Sequence, residues 1–244
     1  MKLNVYAVPD SVSDKDLKDK IVVIIDVLRA TSTILAALAN GCKEVIPAVE
    51  IEEVINMSKN YEKDSFLLCG ERNIDAIDGF HLSNSPLEYT ADVVAGKTLL
   101  MTTTNGTRAI RKAADADEVL LCSMTNVEAV AEYIHNRQKD TVFICAGTDG
   151  QFSTDDVVTA GVVISRLAEM VDELELSDLA FVARKIYESS AGDLHGLLKN
   201  TLHYKRLIEF GLEKDIEYCL TLNAAPVVAV YKDGVVRTID NILS

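Results

Sequence analysis

The chain predicts an α/β fold of three layers, a largely parallel sheet flanked by helices, with a helical plus β-hairpin C-terminal part. Three observations predict it. Residues 21–25, IVVII, are five consecutive β-branched residues, the pattern of a strand buried on both faces inside a parallel sheet. Apolar runs of similar length alternate with helix-patterned segments over the first two thirds of the chain, which calls for right-handed βαβ units. Near the C-terminus, Lys232-Asp233-Gly234 separates two β-patterned runs, 227–231 and 235–239, as a hairpin turn does.

The elements follow in order. A strand over 3–8 is ended by Pro9-Asp10, and the central strand 21–25 stops at Asp26. Helix-forming residues over 30–38 end at Asn40-Gly41, a stop signal. A strand at 44–47, a helix at 51–60 and a strand at 65–69 come next, the last running into Gly70-Glu71-Arg72. The loop over 73–86 is longer than an ordinary connection, a property associated with function. A strand at 97–101, a polar turn at 102–108 and a helix at 109–114 follow. Strands at 118–122 and 141–145 flank a helix at 127–137, and a helix at 154–171 closes the alternating part. Helices at 178–189, 193–199 and 205–209 precede the hairpin, which is expected as a lid or a subdomain edge. No linker is visible, so the expectation is one unit over 1–244, divisible into a sheet core of about 1–172 and a helical and hairpin part of about 173–244.

Composition narrows the function classes. The 244 residues are 48% hydrophobic, which fits a globular core rather than a disordered chain. The net charge of −14 repels polyanions, so neither nucleic acid nor an anionic membrane is an expected partner. A small anion remains compatible, provided local arginines or a divalent cation reverse the sign of the field. The N-terminus has no apolar signal core and no apolar run approaches a membrane span, so a cytoplasmic location is expected. Cys42, Cys69, Cys122, Cys145 and Cys219 lack CxxC spacing, so they read as small buried residues rather than zinc ligands or disulfide partners.

Four strand tips carry polar groups: Asp26 with Arg29, Glu71 with Arg72, the run Thr104, Asn105, Gly106, Thr107 and Arg108, and Thr148-Asp149 with Asp155-Asp156 just beyond. On one edge of a parallel sheet such tips converge, where open α/β folds bind ligands. Asp26, Glu71 and Asp156 are hard oxygen donors suited to Mg²⁺. Arg29, Arg72 and Arg108 suit forked contacts to phosphate, sulfonate or carboxylate. Thr31, Ser32 and Thr33, at the start of a helix, suit an anion or an ordinary cap in about equal measure. Metal, arginines and backbone N–H groups together are what phosphoryl transfer requires.

Each element has a plainer reading: a strand-end Asp as a cap, an arginine as a surface ion pair, acids in a first helical turn as dipole partners. Of His81, His135, His195 and His203, only His81, in the long loop, is placed to act as an acid or base, and a surface role suits it better. No GxxxxGK[ST] or strand-following GxGxxG occurs, and Cys145 lacks the nearby arginine of a cysteine phosphatase.

At these residues the chain resembles the 2-phosphosulfolactate phosphatase (ComB-like) family. The matching segments are IDVLRATSTI (25–34), GERN with GF and SNSP (70–86), TTTNGTRAI (102–110) and CAGTDGQFSTDD through AG (145–161), in order from about residue 20 to 165. The resemblance implies Mg²⁺-dependent hydrolysis of (2R)-phospho-3-sulfolactate to 3-sulfolactate and phosphate, the type of reaction found in coenzyme M biosynthesis. Carried onto this sequence, it reinforces Asp26, Arg29, Glu71, Arg72, Asn84, Asn105, Thr107, Arg108 and Asp156. Two departures stand out: His81 and Ser83 replace Asp and Gly of the family's GFDLGNSP loop, and the acidic pair is Asp155-Asp156 rather than Glu-Asp.

The resulting expectation assigns Asp26, Arg29 and Arg108 to catalysis. It assigns Arg72, Asn84, Thr104, Asn105, Gly106, Thr107 and Thr148 to substrate, and Asp26, Glu71 and Asp156 to Mg²⁺. The expected substrate is a small anionic organic phosphate, and a homodimer is the default assembly. The alternatives are a phosphatase acting on another phosphorylated 2-hydroxy acid and a non-catalytic protein that binds a small anion.

Overall fold

The computed structural model of the chain describes residues 1–190 and 192–243. Its strands are β1 (Lys2–Tyr6), β2 (Ile21–Ile25), β3 (Glu44–Ala48), β4 (Phe66–Arg72), β5 (Asp75–Ala76), β6 (Thr98–Thr102), β7 (Glu118–Cys122), β8 (Thr141–Cys145), β9 (Glu175–Leu176), β10 (Ala229–Lys232) and β11 (Val235–Thr238). They form one mixed sheet in the order β5-β4-β6-β3-β11-β10-β7-β2-β8-β1-β9.

The β-branched run of β2 explains the layering. Its five residues are all buried, and the two-residue period of a strand sends alternate side chains to opposite faces. Ile21, Val23 and Ile25 pack with Val130, Ile134, Val158 and Ile164 from the helices Val127–Arg137 and Thr154–Met170. Val22 and Ile24 join Ile34 and Leu35 of the helix Ala30–Ala39, together with Leu99 and Met101 of β6. Both faces are therefore dry, as the sequence pattern predicts. All five cysteines are free and buried, as expected. Among the described residues no helix is long and apolar enough to cross a membrane.

The hairpin departs from expectation. Rather than a lid or an edge, it sits in the middle of the sheet, β10 pairing with β7 and β11 with β3, all antiparallel. Its turn uses the left-handed conformations of Asp233 and Gly234 (φ 51° and 85°). These antiparallel pairings mean that β3, β6 and β4 run opposite to β7, β2, β8 and β1. The expected single edge of strand tips thus holds for β2 and β8 but not for β4 and β6. A twist of about 20–25° per strand pair, accumulated over the five steps from β2 to β6, reaches about 100–125° and can turn the two sets toward one cleft.

Smaller shifts have local causes. β4 continues through Glu71 and Arg72 because they pair with Ala76 and Asp75 of β5. The helix expected at 109–114 is Gly106–Lys112, and that expected at 205–209 begins at Leu202. A further helix, Glu213–Cys219, precedes the hairpin.

Candidate active site

A cleft opens where the ends of β2, β4, β6 and β8 approach the helix Leu202–Glu209. Asp26, Arg29, Glu71, Asn84, Thr104, Asn105 and Thr148, all expected in a site, line it. His203, Arg206, Asn73, Ile74 and Asp149 line it too.

Asp26 ends β2, and its position serves two purposes. Oδ1 accepts a hydrogen bond from the Ala30 N–H at 3.2 Å, capping the helix Ala30–Ala39. Oδ2 accepts no hydrogen bond from a described residue and rests against Gly106, where an added Cβ would lie 2.6 Å from it. The missing side chain of Gly106 thus leaves space for the carboxylate. Burial pushes the Asp26 carboxyl up to about 7; His203 and the Ala30 N–H oppose the shift, while Asp155 and Glu71 add to it. The threonines and serine that follow take the plainer reading. Thr31 binds the Asp26 carbonyl, Ser32 that of Val27 and Thr33 that of Asn84, at 2.8, 2.7 and 2.9 Å, and all three are fully buried.

Arg29 follows a cis Leu28–Arg29 peptide and is buried. Its Nη1 donates to Asp215 Oδ2 at 2.6 Å, and Asp215 Oδ1 accepts from Ser85 Oγ at 2.7 Å. The other donors of the guanidinium have no partner among the described residues, on the side that lines the cleft. Asn84 is 3% exposed, and its Oδ1 is buried with no hydrogen-bond partner. A buried amide oxygen left open in this way is uncommon and marks a place for a ligand.

Opposite Asp26 stands a carboxylate–imidazole pair that sequence reading missed. His203 Nδ1 lies 3.1 Å from Thr148 Oγ1 and 3.7 Å from Asp155 Oδ2. Asp155 is fully buried and accepts from Ser153 Oγ, while its Oδ2 makes no hydrogen bond. Burial disfavours charge on the imidazole, yet the nearby carboxylate of Asp155 and the charge of Asp26 outweigh it and raise the pKa of His203. Burial would raise the Asp155 carboxyl, but the His203 and Ser153 partners hold it below its usual range. His203 belongs to a helix that also aims Arg206 at the cleft, where Nη1 pairs with Asp149 Oδ2 at 3.2 Å. The signal in the sequence is the spacing His203, Arg206 and Leu207, one face of a helix by the i, i+3, i+4 rule.

The β4 and β6 side is different. Both oxygens of Glu71 are occupied: Oε1 accepts from the Thr104 N–H at 2.6 Å, and Oε2 accepts from the Ile74 N–H at 2.7 Å and Thr104 Oγ1 at 3.0 Å. Arg72 donates through Nη2 to the Val49 carbonyl and Thr102 Oγ1, both at 3.0 Å, and does not line the cleft. Thr107 and Thr103 cap one another through side chain and backbone. Arg108 is exposed and lines a neighbouring cavity with Arg111 and Lys112, which meets the cleft only at Asn105.

Asp156 does not reach the cleft either. Its oxygens accept from the Val27 N–H at 2.9 Å and the Gly147 N–H at 3.0 Å, joining the tips of β2 and β8. Burial first, and then Asp155 and Asp26, raise its carboxyl well above the usual range. Among the described residues, no group of three or more His, Cys, Asp or Glu side chains is arranged to hold a metal ion. Of the expected set Asp26, Glu71 and Asp156, Asp26 and Glu71 line the cleft, and Glu71 and Asp156 accept backbone N–H groups. Arg72, Gly106, Thr107 and Arg108, expected in catalysis or substrate binding, are not among the residues that line this cleft. His81 accepts from the Leu68 N–H through Nδ1 at 2.9 Å, and Ser83 hydrogen-bonds Glu88; neither lines the cleft.

A set that remains does fit Mg²⁺. The free Oδ2 of Asp26, on a carboxyl raised chiefly by burial, and the orphaned Oδ1 of Asn84 share the cleft. Mg²⁺ takes one or two carboxylates and completes its shell with waters and phosphate oxygens, so a three-carboxylate cage is not required.

Comparison with known proteins places the chain in a family. Residues 6–234 match the 2-phosphosulpholactate phosphatase family. A probable 2-phosphosulfolactate phosphatase of Caldanaerobacter subterraneus subsp. tengcongensis is 50% identical over 238 residues, covering 98% of each chain. Proteins with the same description from Clostridium acetobutylicum and Clostridium perfringens (strain SM101) are 45% and 44% identical, over 96% and 99% of this chain and 99% and 98% of theirs. With a family match over nearly its whole length and relatives this similar, the chain belongs to the 2-phosphosulpholactate phosphatase family of phosphoric monoester hydrolases.

Proposed function

We propose that the chain hydrolyses (2R)-phospho-3-sulfolactate to 3-sulfolactate and phosphate with Mg²⁺, a reaction of the coenzyme M biosynthetic type. The observation that carries this reading is the adjacency of two kinds of vacancy in one cleft. On one side stand oxygens without partners, Asp26 Oδ2 and Asn84 Oδ1, which suit a hard cation. Beside them stand the guanidinium groups of Arg29 and Arg206, which suit anions, with the His203 ring on the same cleft.

The substrate carries a phosphate, a carboxylate and a sulfonate, and the cleft offers two arginines and a histidine. Arg29 binds with little reorganisation, because Asp215 already fixes its orientation. Thr104, Asn105 and Thr148 add neutral hydrogen-bonding groups along the wall. Asp26 and Asn84 would hold the metal, which supplies charge stabilisation at the phosphoryl oxygens.

Phosphate release from 2-phosphosulfolactate, with Mg²⁺ and with EDTA, tests the proposal. Metal-dependent release is the expected result. Preference for a phosphorylated 2-hydroxy acid lacking the sulfonate would move the substrate to the second class. Tight binding of sulfolactate without turnover under any divalent metal would make the chain an anion-binding protein. His81 and Ser83, where the chain departs from the family's loop, lie outside the residues that line the cleft.

A further inference from the structure

We propose that His203 is the proton donor to the leaving oxygen of the substrate and that Asp155 and Thr148 are its positioning residues. The inference rests on the phosphatase reading above and concerns a residue outside every motif that carries the family resemblance.

The geometry supports it in three ways. One ring nitrogen of His203 is fixed: Nδ1 faces Thr148 Oγ1 at 3.1 Å and Asp155 Oδ2 at 3.7 Å. The other, Nε2, has no hydrogen-bond partner among the described residues, while the ring lines the same cleft as Asp26 and Arg29. A carboxylate behind an imidazole sets its tautomer and orientation and stabilises its charged form. Finally, Asp155 Oδ2 is buried without a hydrogen bond, so its free acceptor capacity is available to an imidazolium N–H. The charged groups facing the ring are Asp155 from the helix Thr154–Met170, Asp26 from the end of β2, and Arg206 from its own helix.

The chemistry needs such a donor. Hydrolysis of the ester breaks the bond between phosphorus and the oxygen on carbon 2 and forms a bond between phosphorus and a water oxygen. The leaving group is the alkoxide of a secondary alcohol, a strong base that departs poorly unless protonated. His203 Nε2 gives it a proton, and the attacking water returns one to the ring. The products are the alcohol and hydrogen phosphate, with His203 restored.

The test uses the full-length protein with Mg²⁺ and 2-phosphosulfolactate. His203→Gln and His203→Ala are expected to lower kcat by about 10²–10⁴-fold, the usual range for loss of a general acid, with a much smaller change in KM. Added imidazole is expected to restore turnover to His203→Ala but not to His203→Gln, whose side chain fills the space. Asp155→Asn is expected to move the alkaline limb of the kcat profile to lower pH, because the neutral amide no longer stabilises the imidazolium. A kcat within about threefold of wild type in both His203 variants would overturn the inference. So would a large loss confined to KM, or a loss that imidazole does not relieve in a His203→Ala protein of wild-type thermal midpoint. If the wild-type enzyme releases no phosphate, the functional reading fails first and this inference falls with it; an active wild type with unaffected His203 variants removes this inference alone.

Discussion

The two walls of the cleft are built from the same residue types and differ in what those residues have left to give. On the β4 and β6 wall, Glu71 and Thr104, backed by Arg72, Thr103 and Thr107 outside the cleft, spend their hydrogen-bonding capacity on nearby backbone and on each other. On the β2 and β8 wall, Asp26 Oδ2, Asn84 Oδ1 and part of the Arg29 guanidinium remain open, and His203 faces them with one nitrogen free. A buried polar group that stays open costs stability, so its persistence points to a ligand, whereas a satisfied network is scaffold. Charge at a strand tip is therefore a poor guide to chemistry until its partners are counted.

Substitutions at the open wall should produce the largest effects. Asp26→Asn is expected to lower kcat by about 10²–10⁴-fold, with the fold retained. Its stability should also respond to pH in a defined direction. The Asp26 carboxyl sits at about 7 when folded and near 3.9 when unfolded, so between those values the folded state holds the extra proton. That contribution is fully present below about pH 4 and is lost as pH rises toward 7. Urea unfolding without divalent metal should show this slope in wild type and a flatter one in Asp26→Asn.

An intermediate effect, on stability rather than turnover, is expected behind the open wall. Asp215→Ala leaves Arg29 buried without its counter-charge and removes the acceptor of Ser85. A loss of about 3–5 kcal/mol is expected, read as a lower urea midpoint. The smallest effect belongs to Arg108→Ala. The side chain is exposed and outside the cleft, so stability should stay within about 0.5 kcal/mol and kcat within about threefold of wild type. A collapse of kcat in this variant would show that the neighbouring basic cavity joins the reaction and would undo the contrast between the walls.

Much of this was legible in the sequence because it follows from local pattern. The strands β2, β7 and β8 have the expected boundaries, since a run buried on both faces admits little else. Asp26, Arg29 and Asn84 were expected in a site, and they line the cleft. What could not be read depends on long-range pairing. Nothing near Val230 announces that it will lie beside Leu120, so the hairpin's central place stayed hidden. His203 reaches the cleft because the helix Leu202–Glu209 docks there, although its ring meets Thr148, 55 residues earlier. The backbone N–H groups that meet Glu71 and Asp156 come from loops brought in by tertiary packing, so residue type alone could not show those contacts.

The most direct test of the central claim compares Asp26→Asn with Glu71→Gln in one phosphate-release assay, alongside their thermal midpoints. Glu71→Gln should keep kcat within about tenfold of wild type and lose about 1–3 kcal/mol of stability, because Glu71 ties the Thr104 and Ile74 loops together. Asp26→Asn should do the reverse, losing turnover while remaining folded. A Glu71→Gln protein as inactive as Asp26→Asn but with an unchanged midpoint would contradict the account, and would place the reactive carboxylate on the other wall.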